Sequence, residues 1–333
     1  MAAVAGKRNL ITDVAGLRVG QADDARIDTG VTVILPDQPV VAACAVAGGG
    51  PGTRETDLLA AGTLVDQVDA IFLSGGSAFG LGAADGVMAG LKQAGRGFSL
   101  VDKPGVPATP IVPGAILYDL ANGGDKTWEG IAPYAALGLE AFDNAAEDFA
   151  LGRAGAGHGA RAGEHPGGTG SASIVTTDGF TVGALACVNC FGSVFMPGTE
   201  AYWAWPHEQG SEFGGVRPPE GFTMDADDWG AAKANPALGQ NTTIACIATD
   251  AALTPSQARR VAQMALSGFS RAIRPVFAPF DGDALFVLST GRLVLPEPEP
   301  LMVTRIGELA ASTLARAIAR GVHEARRQTG AMA

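Results

Sequence analysis

The alternation of apolar stretches with polar, glycine-containing turns along the chain predicts an α/β protein. Short apolar segments at 9–19, 31–36 and 40–47 predict consecutive amino-terminal strands, because each is bounded by turn residues. A brief strand is predicted at 69–73, and a helix rich in small residues follows it at 81–91. The first third of the chain is therefore predicted to begin with consecutive strands and to continue with a strand followed by a helix.

Apolar positions at helical spacing predict four more helices. Thr53 is predicted to cap a helix that includes 58–65, and an amphipathic helix is predicted over 131–151. The sequence TPSQ at 254–257 combines an N-cap threonine, a proline at the first helical position and a capping-box glutamine, so a helix should begin there. The last predicted helix covers 304–327.

The other stretches predict strands separated by long irregular segments. Glycine and alanine dominate 152–173, which predicts a loop. The apolar segment 181–191 predicts a strand that ends at Asn189. The aromatic segment 202–229 lacks periodicity and is predicted to be a surface excursion that tolerates a chain break. A further strand is predicted at 284–289.

Composition narrows the classes of function. A chain of 333 residues without a linker-like segment predicts one domain over 1–333. The formal net charge of -11 argues against a nucleic-acid partner, which requires clustered basic residues. Charged residues make up only 17% of the chain, so we expect a tightly packed fold whose surface is partly covered by other subunits.

The four cysteines lie in apolar runs and are expected to be small buried residues: Cys44, Cys187, Cys190 and Cys246. Two of them form a C-x-x-C, but no second pair exists, and strand residues three apart point to opposite faces. No metal and no cofactor are therefore expected. No apolar run is long enough to cross a membrane, and a cytoplasmic location is expected.

The stretch from Gly239 to Asp250 combines a turn-like entry with a β-branched run that begins at Thr242. A threonine hydroxyl is a poor nucleophile unless a base lies beside it, and its own α-amino group is one such base. That amine exists only if the bond between Asn241 and Thr242 is cut. These residues alone favour a buried strand after a turn, because Asn-Thr-Thr at a strand start is ordinary turn chemistry, so self-cleavage before Thr242 is a hypothesis at this point.

The glycine-rich turn at 74–80 lies between a predicted strand and a predicted helix, where backbone N–H groups can bind an anion. No Gly-Lys-Ser/Thr follows and the G-x-G-x-x-G spacing is missing, so a nucleotide site is not expected. Close helix packing and a substrate-facing rim at Gly76 and Ser77 are expected instead. Tyr118, in the apolar segment 114–120, needs a partner for its hydroxyl group.

Five stretches, taken in order, carry a family resemblance: NLITDV at 9–14, GTRET at 52–56, LSGGSAFGL at 73–81, NTTI at 241–244 and DGD at 281–283. Together they resemble the DmpA-type aminopeptidases and the related NylC-type 6-aminohexanoate-oligomer hydrolases. The resemblance runs from Asn9 to the last helix. A threonine at the cleavage position, together with the later Asp-Gly-Asp, is nearer to the NylC-type branch.

The resemblance implies a four-layer αββα sandwich of the DmpA and ornithine-acetyltransferase type, with an amino-terminal nucleophile. It also implies one catalytic domain that cleaves itself into residues 1–241 and 242–333, which stay together. Tetramers of such two-chain units are expected as the assembly.

The resemblance also assigns roles to single residues. Asn189 would donate a hydrogen bond to the oxyanion, Tyr118 would border the site, and Asp281 and Asp283 would orient Thr242. Such a donor is typically worth ~3 kcal/mol, and two carboxylates can fix a new α-ammonium group. Without the family, Asp-Gly-Asp would be taken for a solvated turn before a strand.

One position departs from the family pattern. A lysine is expected in the glycine-rich loop, at the place of Glu164 or of Pro166, and neither is a lysine here. A lysine there would assist the amine or stabilise charge, so proton handling and the rate of self-cleavage depend on another group. Arg161 and His158 are the basic residues in the same loop.

The first function expected is a threonine-dependent amidohydrolase that acts on small peptides or ω-amino-acid oligomers through an acyl-enzyme. An acyltransferase of the ornithine-acetyltransferase type is an alternative, and an added amine acceptor would then divert most of the acyl-enzyme. A third alternative is an unprocessed, catalytically silent assembly protein. The sequence does not select the substrate, because pocket shape rather than the nucleophile does so.

Overall fold

The computed structural model describes residues 3–101, 103–233 and 241–331. The strands are β1 Leu17–Asp24, β2 Thr29–Pro36, β3 Val40–Val46, β4 Thr53–Arg54, β5 Gln67–Val68, β6 Ile71–Ser74, β7 Gly114–Ile116, β8 Arg161–Ala162, β9 His165–Pro166, β10 Gly168–Val175, β11 Thr181–Asn189, β12 Thr242–Ala251 and β13 Ala284–Leu293. The α-helices are α1 Ala83–Gln93, α2 Tyr134–Asp143, α3 Pro255–Ala265, α4 Ser267–Ser270 and α5 Glu299–Thr329.

Two sheets form the centre of the molecule. The five-stranded sheet has the order β1-β2-β6-β7-β4, and the six-stranded sheet has the order β10-β11-β12-β13-β3-β5. Most neighbours in both sheets are antiparallel, whereas β6 pairs with β7 and β12 pairs with β13 in parallel. Strands β8 and β9 form a separate two-stranded ribbon.

Three buried apolar clusters divide the molecule into four layers. The central cluster joins the two sheets and includes Leu73 from the first sheet and Ile244 and Phe286 from the second. A second cluster lies between the first sheet and helices α1 and α2, and a third lies between the second sheet and helices α3, α4 and α5. The expected four-layer αββα sandwich is thereby confirmed.

Strand β12 is buried on both faces because it lies in the middle of the second sheet. Ile244 and Cys246 face the central cluster, whereas Ala245 and Ile247 face the helices. This explains the continuous apolar run, since a strand that is covered on both sides shows no polar alternation. The first residue of the run, Thr242, is also the first residue of the strand.

The start of α3 is as predicted. The Thr254 hydroxyl accepts the N–H of Gln257 at 3.3 Å, and the Gln257 side chain accepts the N–H of Thr254 at 2.9 Å. Pro255 occupies the first turn. The reciprocal pair satisfies two N–H groups that the helix itself leaves without partners.

The prediction of a helix after Thr53 is wrong. Thr53 and Arg54 form the short strand β4, and a single 3₁₀ turn follows at Asp57–Leu59. Gly62 has a left-handed φ of 91°, and Leu64 is 74% exposed, so the segment has neither helical backbone nor a buried helical face.

Two other helices have different lengths from those predicted. Helix α2 is shorter than 131–151, because the chain leaves it at Asn144 and Ala146 then pairs with Val19 of β1. Helix α5 extends beyond 304–327 at both ends and stops at Gly330, which adopts a left-handed φ of 68°. Glycine tolerates this conformation at a helix end without steric strain.

Two predictions of irregular structure need correction. The predicted loop 152–173 contains the start of β10, where Gly168 already pairs with Val188. The segment 202–229 is largely irregular, but it is not simply a surface excursion, because Tyr202 and Phe213 are buried in the cluster beneath the helices. Aromatic side chains anchor this segment to the core.

The cysteines agree with their expected roles. Cys187 and Cys246 face the central cluster and Cys190 faces the helix-side cluster, so the C-x-x-C residues lie on opposite sides of the sheet. Cys44 is half-buried. Within the described ranges, no helix is long and apolar enough to cross a membrane.

The close approach of α5 to β10 depends on glycine. A Cβ atom at Gly170 would lie 1.9 Å from the carbonyl oxygen of Ala317, whereas one at Gly82 would meet nothing within 4 Å. We expect Gly170→Ala to lower the free energy of unfolding by about 1–3 kcal/mol through overpacking, and Gly82→Ala to leave it nearly unchanged. Urea unfolding measures both, and equal effects of the two variants would contradict the packing described here.

Candidate active site

The order of strands brings distant parts of the chain to one edge of the second sheet. Asn189 ends β11 and lies directly opposite Thr242, the first residue of the antiparallel strand β12. Strand β13 is parallel to β12, so the residues just before β13 lie at the same edge. Asp281 forms a bridge with Asn241 there. The fold thus brings Asn189, Thr242 and the Asp281–Asp283 loop together, where β11 ends and where β12 and β13 begin.

The peptide link between Asn241 and Thr242 is buried. The two residues are 1% and 3% exposed. The carbonyl oxygen of Asn241 accepts the N–H of Gly282 at 3.1 Å and is also contacted by the hydroxyl of Thr242. Neither polar atom of the Asn241 side chain has a hydrogen-bond partner among the described residues. The turn-like entry predicted at 239–240 lies outside those residues.

Gly282 makes room for the Thr242 hydroxyl. A Cβ atom at Gly282 would lie only 2.6 Å from Oγ1 of Thr242. On the other side of the loop, Gly48 packs so closely that its Cβ would lie 2.3 Å from the carbonyl oxygen of Asp281. The hydroxyl therefore lies against the backbone that joins Asp281 and Asp283.

Backbone N–H groups hold both carboxyl groups in place. Asp283 accepts the N–H of Thr243 at 2.6 Å and that of Phe277 at 3.2 Å. Asp281 accepts the N–H of Ala278 at 3.2 Å through Oδ2, and its buried Oδ1 has no hydrogen-bond partner within the described ranges. Each residue is 1% exposed, so the two carboxyl groups are buried and do not form the solvated turn that the local sequence alone would suggest.

Burial raises the pKa of both carboxyl groups, and the charge of Asp281 adds to the rise at Asp283. Burial raises the pKa of Asp281 to about 6, against the lowering effect of the Ala278 hydrogen bond and of Lys233. Burial, followed by the charge of Asp281, raises the pKa of Asp283 to about 8. Two adjacent buried carboxyl groups resist a double negative charge, so the pair retains a proton near neutral pH.

Lys233 lies near the site and was missed by sequence reasoning. Its Nζ lies 3.5 Å from the carbonyl oxygen of Asn189, and its backbone N–H donates to the carbonyl of Phe191. Burial lowers the pKa of Lys233 to about 8, while the charge of Asp281 acts to raise it. The irregular segment around it has no periodicity that could have identified it.

His158 and Arg161, the basic residues of the loop where a lysine was expected, make other contacts. His158 lies beside Asp23 and Asp28, at 3.6 and 3.5 Å. The Arg161 side chain donates to the carbonyl of Glu164, and only its backbone N–H reaches Asn189. The described basic side chain whose charge acts on Asp281 is therefore Lys233.

Three hydrogen bonds fix the side-chain amide of Asn189. Its Oδ1 accepts Nδ2 of Asn122 and the backbone N–H of Arg161, each at 2.9 Å. Its Nδ2 donates to the carbonyl oxygen of Tyr118, also at 2.9 Å. Tyr118 thus contacts Asn189 through its backbone carbonyl, and the role of its half-buried side chain at the border of the site stays a prediction.

The glycine-rich turn at 74–80 contacts the residues on either side of Tyr118. Gly76 has a left-handed φ of 85° and donates its N–H to Asp119 at 2.8 Å, and Ser77 donates its N–H to Leu117 at 3.0 Å. These N–H groups therefore stabilise the fold beside Tyr118. The substrate-facing role of Gly76 and Ser77 stays a prediction.

An apolar cleft of about 670 Å³ adjoins the carboxyl loop. Phe191, Trp229 and Phe280 line it, and the ring centroids of Phe191 and Phe280 are 4.9 Å apart. Lys233 and Glu164 supply its charged groups. A concave apolar surface with few polar groups is typical of a small-molecule site.

Metal-ligating residues do not cluster in the part of the chain that the structure describes. No group of three or more His, Cys, Asp or Glu side chains there could hold a metal ion. The groups that the structure brings together at this edge are a hydroxyl group, two carboxyl groups, an amide and an ammonium group.

Known proteins resemble the whole of this chain. The model of peptidase family S58 matches residues 9–333. An uncharacterized aminopeptidase of Mycobacterium tuberculosis is 43% identical over 97% of this chain and 96% of its own. A 6-aminohexanoate-oligomer endohydrolase of Kocuria sp. is 29% identical over 87% of this chain and 78% of its own.

A solved structure shows the same fold. The L-aminopeptidase D-Ala-esterase/amidase of Ochrobactrum anthropi, described as a variant among the Ntn hydrolase fold, superposes with a TM-score of 0.65 at 22% identity. The match covers 100% of this chain and 97% of that chain. At this identity the likeness concerns the fold.

The raised pKa of Asp281 gives stability a defined pH dependence. The folded chain binds this proton more tightly than the unfolded chain, so the contribution is present near pH 4 and is lost as the pH rises through about 6. We expect Asp281→Asn to gain on the order of 1–3 kcal/mol relative to the native chain between pH 5 and pH 8. Urea unfolding at several pH values measures this difference. The exposed Asp227→Asn is the control, and parallel curves for Asp281→Asn and the native chain would refute the assignment.

Proposed function

The chain belongs to peptidase family S58 and is a hydrolase of amide bonds, and on that premise we propose that Thr242 acts twice. It first cleaves the precursor between Asn241 and Thr242. It then serves as the amino-terminal nucleophile for amide substrates. The resemblance to the DmpA-type family is confirmed by the match to family S58, whereas the role of Thr242 is a proposal.

One observation carries the proposal. The hydroxyl of Thr242 contacts the carbonyl group of Asn241 and lies against the backbone of Gly282, the residue that joins the buried Asp281 and Asp283. A hydroxyl needs a base to act as a nucleophile, and the precursor has no free α-amine at Thr242. An ionised carboxyl group of the Asp281 and Asp283 pair is the base at hand.

Self-cleavage then proceeds in two balanced steps. Oγ1 of Thr242 attacks the carbonyl carbon of Asn241 while its proton moves to the carboxylate. The C–N bond breaks, the proton passes to the nitrogen, and an ester joins Asn241 to Thr242. Water hydrolyses this ester, which leaves a carboxyl group on Asn241 and a free α-amine and hydroxyl on Thr242.

The mature site repeats the chemistry on another amide. The α-amine of Thr242 accepts the hydroxyl proton, Oγ1 attacks the substrate carbonyl, and the amide of Asn189 stabilises the oxyanion. The proton then passes to the leaving amine, and water releases the acyl group. Asp281 and Asp283 hold the α-amine in place through their charge.

The apolar lining of the cleft suits one class of amide substrate. Phe191, Trp229 and Phe280 suit an apolar side chain or a methylene chain, so small peptides and ω-amino-acid oligomers are the amides we propose. The relative from Kocuria is named for an oligomer of the second kind. Hydrolysis of p-nitroanilides of L-alanine, β-alanine and 6-aminohexanoate would rank these classes.

We also propose a tetramer of two-chain units in the cytoplasm, without a nucleic-acid partner. The low charged fraction of 17% supports a surface partly covered by other subunits, and the net charge of -11 argues against a nucleic-acid partner. Sedimentation equilibrium tests the assembly, and a monomeric two-chain unit would refute it.

Self-cleavage is tested directly on a denaturing gel. We expect the purified protein to separate into residues 1–241 and 242–333, with Thr242 as the new amino terminus on sequencing. Thr242→Ala should give one intact chain, because it lacks the hydroxyl, and Thr242→Ser should still split. An intact native chain that does not convert on incubation would refute the proposal.

A further inference from the structure

We propose that the backbone N–H of Gly282 is the oxyanion donor for self-cleavage, and that Gly50 is a positioning residue for this donor. The inference rests on the proposed function, because it concerns the bond between Asn241 and Thr242. It goes beyond that function by naming the group that stabilises negative charge in the uncut chain, where the proposed function names the nucleophile and the base.

The Gly282 N–H points at the oxygen that becomes negatively charged when the chain is cut. It donates to the carbonyl oxygen of Asn241 at 3.1 Å, and Asn241 is 1% exposed. Among the described residues, it is the backbone N–H that donates to this oxygen, which the hydroxyl of Thr242 also contacts. A fixed donor about 3 Å from a developing oxyanion is the geometry of an oxyanion hole.

The peptide unit that carries this donor is held at both ends. The carbonyl oxygen of Asp281, which belongs to the same peptide unit, accepts the N–H of Gly50 at 2.7 Å. The N–H of Asp281 donates to the carbonyl oxygen of Ala278 at 2.9 Å, and Asp281 also forms a parallel bridge with Asn241. A carbonyl group that accepts a hydrogen bond polarises its peptide unit and strengthens the N–H at the other end. The donor is therefore in place before the reaction begins.

Close packing leaves this peptide unit little room to rotate. A Cβ atom at Gly48 would lie 2.3 Å from the carbonyl oxygen of Asp281. A Cβ atom at Gly282 would lie 2.6 Å from Oγ1 of Thr242 and 2.8 Å from the carbonyl oxygen of Gly50. The donor and the nucleophile therefore lie against each other, and both contact the carbonyl group that is attacked.

The donor acts on a definite step of self-cleavage. When Oγ1 of Thr242 bonds to the carbonyl carbon of Asn241, the hydroxyl proton moves to the carboxylate and the carbonyl oxygen takes the negative charge. The Gly282 N–H stabilises this charge until the C–N bond breaks, the carbonyl group forms again and the proton reaches the nitrogen. Loss of one such donor typically slows a reaction on the order of 100-fold.

Asn189 makes a different contact in the uncut chain. Its Nδ2 donates to the carbonyl oxygen of Tyr118 at 2.9 Å, and its backbone is paired with Thr242 across the sheet. The proposed function gives this amide the oxyanion of the substrate after cleavage. Gly282 thus serves the first reaction of Thr242, and Asn189 serves the second.

The test exchanges the Gly282 N–H for an oxygen atom, because a side chain at this position would clash with the Thr242 hydroxyl. Glycolic acid is incorporated in place of Gly282 during cell-free translation of the full chain. Glycolic acid in place of Gly62, an exposed glycine whose Cβ would meet nothing within 4 Å, is the matched control. Denaturing gels follow self-cleavage at pH values on both sides of neutrality, and resistance to a pulse of protease shows that each chain is folded.

We expect the chain with glycolic acid in place of Gly282 to split on the order of 100-fold more slowly at every pH, because it lacks the oxyanion donor. The acid limb of the rate should stay in place, because no titrating group is changed. Glycolic acid in place of Gly50 keeps the donor but removes its support, so it should slow cleavage about tenfold with the same acid limb. The control at Gly62 should superpose on the native profile.

The outcomes separate this inference from the proposed function. A folded chain with glycolic acid in place of Gly282 that splits at the native rate would overturn the inference. A slower rate with a displaced acid limb would also overturn it, because the loss would then belong to the carboxyl pair. If this chain does not fold, the chain with glycolic acid in place of Gly50 decides, and cleavage at the native rate there would overturn the inference. A native chain that never splits would overturn the proposed function instead.

Discussion

The parallel pairing of β12 with β13 is the constraint on which the site depends. It places the loop before β13 at the same sheet edge as the start of β12, and the antiparallel β11 brings its last residue to that edge. Thr242, Asn189 and the carboxyl loop meet there although they are far apart in the sequence. Helices cover the outer faces of both sheets, so this edge is rigid on either side.

Burial of the carboxyl groups at this edge costs folding free energy, and it also makes them reactive because it brings their pKa near neutral pH. Burial raises the pKa of both carboxyl groups, the charge of Asp281 raises that of Asp283 further, and Lys233 partly offsets the rise at Asp281. A base that is poised near neutral pH is more effective than a fully ionised carboxylate, because it can both take and return a proton. Gly282 completes the arrangement by leaving space for the Thr242 hydroxyl.

Local signals predicted three element ends near the site and at α3. The strand start at Thr242, the strand end at Asn189 and the capped start of α3 all follow from residues adjacent in sequence. The strand order could not be predicted from local signals, because it depends on contacts across the core, and only the family resemblance supplied the sandwich. Lys233 was missed because it lies in an irregular segment. The prediction of a helix after Thr53 failed because Gly62 interrupts the helical backbone.

The central claim is that Thr242 carries the acyl group during turnover. Quenching the protein with acid while it hydrolyses a p-nitroanilide, followed by mass spectrometry of the fragment 242–333, measures this directly. We predict that the fragment gains the mass of the acyl group and that fragmentation locates the gain on Thr242. Hydrolysis with full turnover and an acyl group on any other residue would contradict the account.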